Sequence, residues 1–198
     1  GGNAFDAAVA VGTVLAVVEP ESSGIGGGGF FLLHRAADGK DVFVDARETA
    51  PAAADARDYR TPDGDLDKDH AQNGALSAAI PGEIAGFAHV AEHYGKLPLA
   101  KSLSPAIRIA RNGFTLDQRL VEEIADRKSV MDRFAATRAL YFPAGAVPKV
   151  GARFRNPDLA RTLELVAAKG ADGFYRGDFA QRLVDAVRAE GGRWSLED

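Results

Sequence analysis

From Ala4 to Val18 almost every position is apolar, with only Asp6, Gly12 and Thr13 interrupting. Such a run, opened by Asn3 as an N-cap and stopped by Pro20, predicts a helix that sits between layers. Its uninterruptedly uncharged part, Ala7 to Val18, covers about 18 Å as a helix, too short to span a bilayer. Past the helix the period changes to two. Phe30 to Arg35 and Asp41 to Ala46 read as the strands of a hairpin that turns at Asp38-Gly39, with Val42 and Val44 on one face and Phe43 on the other. Residues 51–79 are rich in Ala, Asp, Gly and Pro and keep no period, which predicts a long surface excursion. Spacing of three and four then returns. It predicts a helix from Pro81-Gly82 to near Gly95, and helices over roughly 102–112, 117–138, 157–169 and 178–190. Gly113, Gly170 and Gly191-Gly192 supply stops. Ser195 followed by Glu197-Asp198 reads as the opening of one more helix, cut before it forms.

The pattern is therefore mixed α/β (α+β), with a helix and a β-hairpin in 1–50 and mostly helix from 80 onward. At 198 residues, 46% hydrophobic and 26% charged, the chain can bury a core and is read as one domain with room for a subdomain. A net charge of −4, with Lys and Arg scattered, argues against nucleic acid and against an anionic lipid surface as partners. Without a cysteine there is no disulfide, thiol nucleophile or Cys-ligated zinc. Gly1-Gly2-Asn3 shows no signal-peptide pattern. Both ends are abrupt and read as those of a fragment of a larger protein.

Three strings carry candidate chemistry. Gly24-x-Gly26-x-x-Gly29 matches a dinucleotide fingerprint, but a helix precedes it and a strand follows, the reverse of what a pyrophosphate site needs. A loop of close backbone approach is the plainer reading. His89-Val90-Ala91-Glu92-His93 places two histidines on one helix face, as zinc requires; Glu122, Glu123 and Glu164 are possible third ligands, and a solvated helix end is the plainer reading. Asp45-Ala46-Arg47-Glu48-Thr49-Ala50-Pro51 lies where the second strand ends. Arg47 there offers a planar fork for a carboxylate, or serves as a structural partner of Asp45, Glu48 or another acid. No serine or threonine sits in a nucleophile elbow or an S-x-x-K string, and the four histidines form no evident triad. The residues alone contain no complete catalytic constellation.

Taken in order, Gly1-Gly2-Asn3-Ala4-Phe5-Asp6-Ala7-Ala8, Glu19-Pro20-Glu21-Ser22-Ser23-Gly24-Ile25-Gly26-Gly27-Gly28-Gly29-Phe30 and Arg47-Glu48-Thr49-Ala50-Pro51 resemble the front of the large subunit of the γ-glutamyltranspeptidase (glutathione hydrolase) family. The resemblance continues through Ile80-Pro81-Gly82-Glu83, Tyr94-Gly95-Lys96-Leu97-Pro98, Pro105-Ala106-Ile107 and Gly173-Phe174-Tyr175-Arg176-Gly177, and so covers the chain. It implies an N-terminal-nucleophile hydrolase fold, an αββα sandwich incomplete in this stretch. It implies a precursor that cuts itself into two subunits, and a γ-glutamyl-threonine intermediate whose threonine lies outside these residues. Glutathione or another γ-glutamyl amide is the implied substrate and the small subunit the implied partner. No cofactor or metal is expected, and a periplasmic or extracellular location is. Arg47 is the one site residue that carries over, as the group holding the α-carboxylate of the γ-glutamyl donor. No catalytic residue is expected in this chain, which alone would be inactive. Cephalosporin or glutaryl acylases and poly-γ-glutamate hydrolases or transferases share these front motifs, and a catalytically inert binding domain that keeps Arg47 as an anion site is the alternative from another class.

Overall fold

The computed structural model describes residues 1–198. It divides into two compact units, Gly1–Gly24 with Val90–Ala168, and Ile25–His89 with Lys169–Asp198.

The first unit begins with helix α1 (Ala4–Val18). The Asn3 side chain accepts the N–H groups of Phe5 and Asp6, each at 3.0 Å, and Asp6 accepts the N–H of Asn3 at 2.7 Å. This reciprocal cap satisfies donors that a helix start otherwise leaves orphaned. The expectation of a helix buried all round is corrected in part. Asp6, Val9, Thr13, Ala16 and Val17 are buried, a single stripe, while Val11 is 57% exposed. The stripe packs on helix α4 (Leu99–Asn112). Pro105 lies inside α4 and leaves the Lys101 carbonyl without its usual N–H; the Ser104 hydroxyl donates to that carbonyl at 3.0 Å.

The helix expected over 117–138 is two, α5 (Gln118–Met131) and α6 (Ala135–Tyr141). The tertiary core explains the break. Leu120 and Ile124 from α5, Leu140 and Tyr141 from α6, and Phe142 and Phe154 all pack into one cluster. One straight helix of that length would run about 33 Å and could not bring both ends to the same cluster. Arg138 Nη1 donates to the Asp132 carbonyl at 2.5 Å and closes the corner. Strands β3 (Phe114–Thr115) and β4 (Arg153–Phe154), too short to show a period, pair antiparallel beside this cluster. Helix α7 (Pro157–Lys169) ends at Gly170, whose φ of 64° suits glycine.

The second unit holds the hairpin β1 (Gly29–Arg35) and β2 (Lys40–Ala46), in register from Gly29↔Ala46 to Arg35↔Lys40. Gly39 takes the left-handed turn position at φ 66°. Helix α3 (Glu83–His93) lies against the inner face, where Phe31 and Phe87 meet edge to face at 5.9 Å. The excursion over 51–79 carries only short turns, among them α2 (Lys68–Gln72). Helices α8 (Asp172–Tyr175) and α9 (Gly177–Ala189) follow later in the chain. At Ser195 to Asp198, read as the opening of a helix, Asp198 Oδ2 accepts the Ser195 N–H at 2.7 Å and its hydroxyl at 3.0 Å, and the segment forms a turn.

Candidate functional site

Three stretches of the second unit converge at the end of β2: the glycine loop 27–29, residues 46–49, and the start of α3. Backbone hydrogen bonds join them. Thr49 and Ile80 exchange both N–H groups, at 3.2 and 2.8 Å, and the Gly27 carbonyl accepts the N–H groups of Gly82 and Glu83 at 2.9 and 3.0 Å. The segments approach so closely that only glycine fits. A Cβ on either Gly28 or Gly82 would overlap the Ala46 carbonyl oxygen. The sequence reading of the glycine loop as a place of close backbone approach describes what is found, and helix α1 precedes the loop while β1 follows it.

Arg47 stands at this junction. Its backbone N–H donates to Asp45 Oδ1 at 2.9 Å, and its side chain is 62% exposed. The Nε atom lies 3.4 Å from Glu48 Oε2, close enough for an ion pair but outside hydrogen-bond geometry. Of the two roles open to Arg47, the structural one is thus only weakly filled. Apart from this pair the guanidinium makes no ion pair or side-chain hydrogen bond, and its exposure leaves it open to an anion.

Glu48 and Glu83 complete the junction. An Oε2 atom of each is buried without a hydrogen-bond partner. Burial first, and the Glu48 charge second, push the Glu83 carboxyl above the ordinary 4.5. The Tyr175 hydroxyl donates to the Pro81 carbonyl at 2.9 Å and accepts the Ala85 N–H at 3.1 Å, so it caps the first turn of α3 from outside. Trp194 Nε1 donates to the Ala78 carbonyl at 2.9 Å, and Asp198 Oδ1 accepts the Ala52 N–H at 2.7 Å. The segments flanking the junction are held from the C-terminal side in this way. Sequence reasoning quoted Glu83 and Tyr175 only within longer strings and attached no chemistry to them; the Tyr175 partners lie 90 or more residues away, and Glu83 meets Glu48 and Gly29 only through the fold.

A cavity of about 500 Å³ is lined by Ile80, Pro81, Tyr175, Arg176, Trp194 and Asp198 among others. Neither Arg47 nor Glu48 lines it, so the cavity and the exposed arginine are separate features. His89 and His93 are exposed on α3, and no three His, Asp or Glu side chains are arranged to hold a metal ion.

The family model for gamma-glutamyltranspeptidase matches residues 1–198. The chain belongs to the gamma-glutamyltranspeptidase family. Among relatives, the glutathione hydrolase proenzyme of Pseudomonas sp. (strain A14) is 43% identical over 97% of this chain and 33% of its own length. The gamma-glutamyltranspeptidase of Helicobacter pylori superposes with a TM-score of 0.96 at 36% identity, covering 100% of this chain and 57% of the solved one. Cephalosporin acylase from Bacillus halodurans superposes at 0.86 with 30% identity, covering 99% and 37%. The chain thus spans about a third of the length of the curated relatives it matches. Mixed helix and small sheets, as found here, agree with these gamma-glutamyltranspeptidase structures. No helix is long and apolar enough to cross a membrane.

Proposed function

We propose that this chain is the front part of the large subunit of a γ-glutamyltransferase, an enzyme that hydrolyses glutathione and related γ-glutamyl amides or passes their acyl group to an amine. The observation that carries the reading is Arg47, an exposed cation whose one partner, Glu48, lies 3.4 Å away, at the end of β2 beside close-packed glycine backbone. A guanidinium in such a place binds a carboxylate bidentately and stays charged at every working pH. Held there by its α-carboxylate, a γ-glutamyl group presents its γ-carbonyl at a distance set by the donor's own carbon chain.

The nucleophile in this reading is a threonine outside these residues, freed as a new N-terminus when the precursor cleaves itself. Its hydroxyl attacks the γ-carbonyl while its own amine takes the proton; the amine of the donor leaves with that proton, and a γ-glutamyl ester remains. Water then releases glutamate, or an acceptor amine forms a new amide. The rest of the precursor supplies the small subunit and the remainder of the sandwich, and the location is periplasmic or extracellular. In the cleaved full-length enzyme, Arg47→Ala should raise KM for a γ-glutamyl anilide severely, with kcat much less affected; an unchanged KM would remove Arg47 from the site. The 198-residue chain alone should release no product.

The likeness to a cephalosporin acylase supports a second reading. Glutaryl and γ-glutamyl groups both place a carboxylate at the same distance from the scissile carbonyl, and they differ in the α-ammonium. Comparing the two anilides as donors separates the readings, since a preference for the glutaryl compound favours the acylase.

A further inference from the structure

Glu48, which follows Arg47, and Glu83, which opens α3, reach the adjacent glycines Gly28 and Gly29 at the entry to β1. A Cβ on Gly28 would lie 2.5 Å from Glu48 Oε2, and one on Gly29 would lie 3.0 Å from Glu83 Oε2. Each of these oxygens is buried without a hydrogen-bond donor. Glu48 has the Arg47 guanidinium beside it. No cation offsets Glu83, which meets burial and the Glu48 charge, although a carboxylate in a first helical turn is ordinarily favoured by the helix dipole. The remaining titratable group facing Glu83 is Tyr175, from α8, and its hydroxyl is already engaged with Pro81 and Ala85. Two carboxyl groups pressed on adjacent glycines, with an arginine beside Glu48 alone, repel one another when both are ionised.

We propose that Glu83 is a positioning residue for Arg47: as a neutral acid it backs Glu48 across the Gly28-Gly29 backbone, and on losing its proton it adds an anion to the junction and weakens capture of a substrate carboxylate by the arginine. The glycines are then part of the device, because any side chain at Gly28 or Gly29 would displace one of the two carboxyl groups. This inference rests on the reading of Arg47 as the carboxylate-binding group. The charge balance gives its sign. A neutral Glu83 leaves Glu48 and Arg47 near neutrality together, so an incoming carboxylate meets no net repulsion. An ionised Glu83 makes the three groups net negative, and the same carboxylate is disfavoured.

The test is the pH profile of KM for a γ-glutamyl anilide in the cleaved full-length enzyme, followed through the loss of the Glu83 proton, which burial and the Glu48 charge hold above the ordinary glutamate value. The donor's own amine titrates alike in all variants, so the comparison between variants is what counts. Wild type should show KM rising with pH by several-fold more than Glu83→Gln, whose side chain is neutral throughout, while kcat of the two stays parallel. Parallel KM profiles in the two proteins would overturn the inference. Arg47→Ala separates this from the underlying reading: if that variant keeps the wild-type KM, the role of Arg47 fails, whereas if its KM is raised and wild type still matches Glu83→Gln, only the role of Glu83 fails. Should Glu83→Gln not mature, carboxyl titration by carbon NMR on glutamate-labelled enzyme decides. The Glu83 midpoint should fall towards the ordinary range in Glu48→Gln, and an unmoved midpoint would overturn the pairing.

Discussion

Asp6 receives the backbone N–H of Lys96 on both carboxylate oxygens, each at 3.1 Å, across 90 residues of sequence. Oδ1 also accepts the N–H of Leu97 at 3.1 Å, and Oδ2 that of Asn3 at 2.7 Å. One side chain that is only 3% exposed thus caps α1 and fastens the turn that follows α3. Gly95 makes room for it, since a Cβ there would stand 2.6 Å from Oδ1. Burial opposes the anion, but the N–H donors of Asn3, Lys96 and Leu97, with the Lys96 charge, outweigh it and hold the pKa below the ordinary 3.8. A depressed folded pKa means that the contribution is present above the unfolded value and is lost as pH falls through the folded one. Asp6→Ala should cost about 3 kcal/mol, because it strands the N–H groups of Asn3, Lys96 and Leu97 at once. It should also flatten the acid side of the stability curve. Urea unfolding at neutral and acid pH measures both, and an equal loss at the two would contradict the linkage.

Ser102 presents the opposite case. It is 3% exposed on α4, and its hydroxyl has no partner. Removing a buried polar atom that makes no hydrogen bond returns its desolvation cost and leaves a small void. Ser102→Ala is therefore expected to be neutral or to stabilise by up to about 1 kcal/mol. A clear loss of stability in urea unfolding would mean that the hydroxyl has a bonded water.

Close approach at the junction gives a third expectation. Gly86 faces the hairpin, and a Cβ there would meet the Ala46 Cβ at 2.5 Å and the Phe31 ring at 2.8 Å. In an exposed helix Gly→Ala gains about 1 kcal/mol. Here overpacking against β2 and Phe31, typically about 1 to 3 kcal/mol, should win, so Gly86→Ala destabilises. Ala46→Gly removes one of the two overlaps, and the double variant should be more stable than the sum of the single changes implies. Simple additivity in a double-mutant cycle would show that the helix shifts instead.

These residues also show which parts of the molecule were legible in the sequence. Asn3, Pro20, Asp38-Gly39 and Gly113 act within a few positions of themselves, and the elements they bound lie where local pattern placed them. The helix expected across Asp132–Phe134 breaks because α5 and α6 share the Phe142 and Phe154 core, which no local period encodes. Arg47 stood out by its chemistry and its place at a strand end. Glu83, Tyr175 and the partners of Asp6 did not, since each acquires its role from backbone groups brought together only by the fold.

Arg47 itself yields a sharper test than its removal. Arg47→Lys keeps the charge but loses the planar fork, so a point cation replaces two parallel hydrogen bonds. If the γ-glutamyl α-carboxylate is held bidentately, KM for the anilide should rise about tenfold or more in the lysine variant, which is about 1.4 kcal/mol of binding. It should rise further in Arg47→Ala. Equal KM for arginine and lysine forms would mean that only net charge matters at this position.

The outer face of the hairpin carries the last expectation. Phe30 and Phe43 stack at 5.5 Å, and Phe30, Leu32 and Phe43 are 57%, 78% and 60% exposed. The register places Leu32 opposite Phe43, so the three form one apolar patch, flanked by the exposed His34–Asp41 pair at 2.7 Å. Phe31 and Leu33, on the inner face, are taken up by the unit's own packing, so the outer patch is surplus to the fold of this chain. Both strands also have an unpaired edge, and an apolar face beside open edges favours association. The chain produced alone should self-associate as its concentration rises. Leu32→Lys places a charge in the centre of the patch without touching the inner face, and should hold the chain monomeric with little change in helix content. In the full-length precursor the same change should instead impair assembly with the small subunit, if the remaining strands cover this face. Sedimentation of the isolated chain reads the first effect and the yield of cleaved heterodimer reads the second; a Leu32→Lys chain that associates as wild type does would show that the patch is not what drives association.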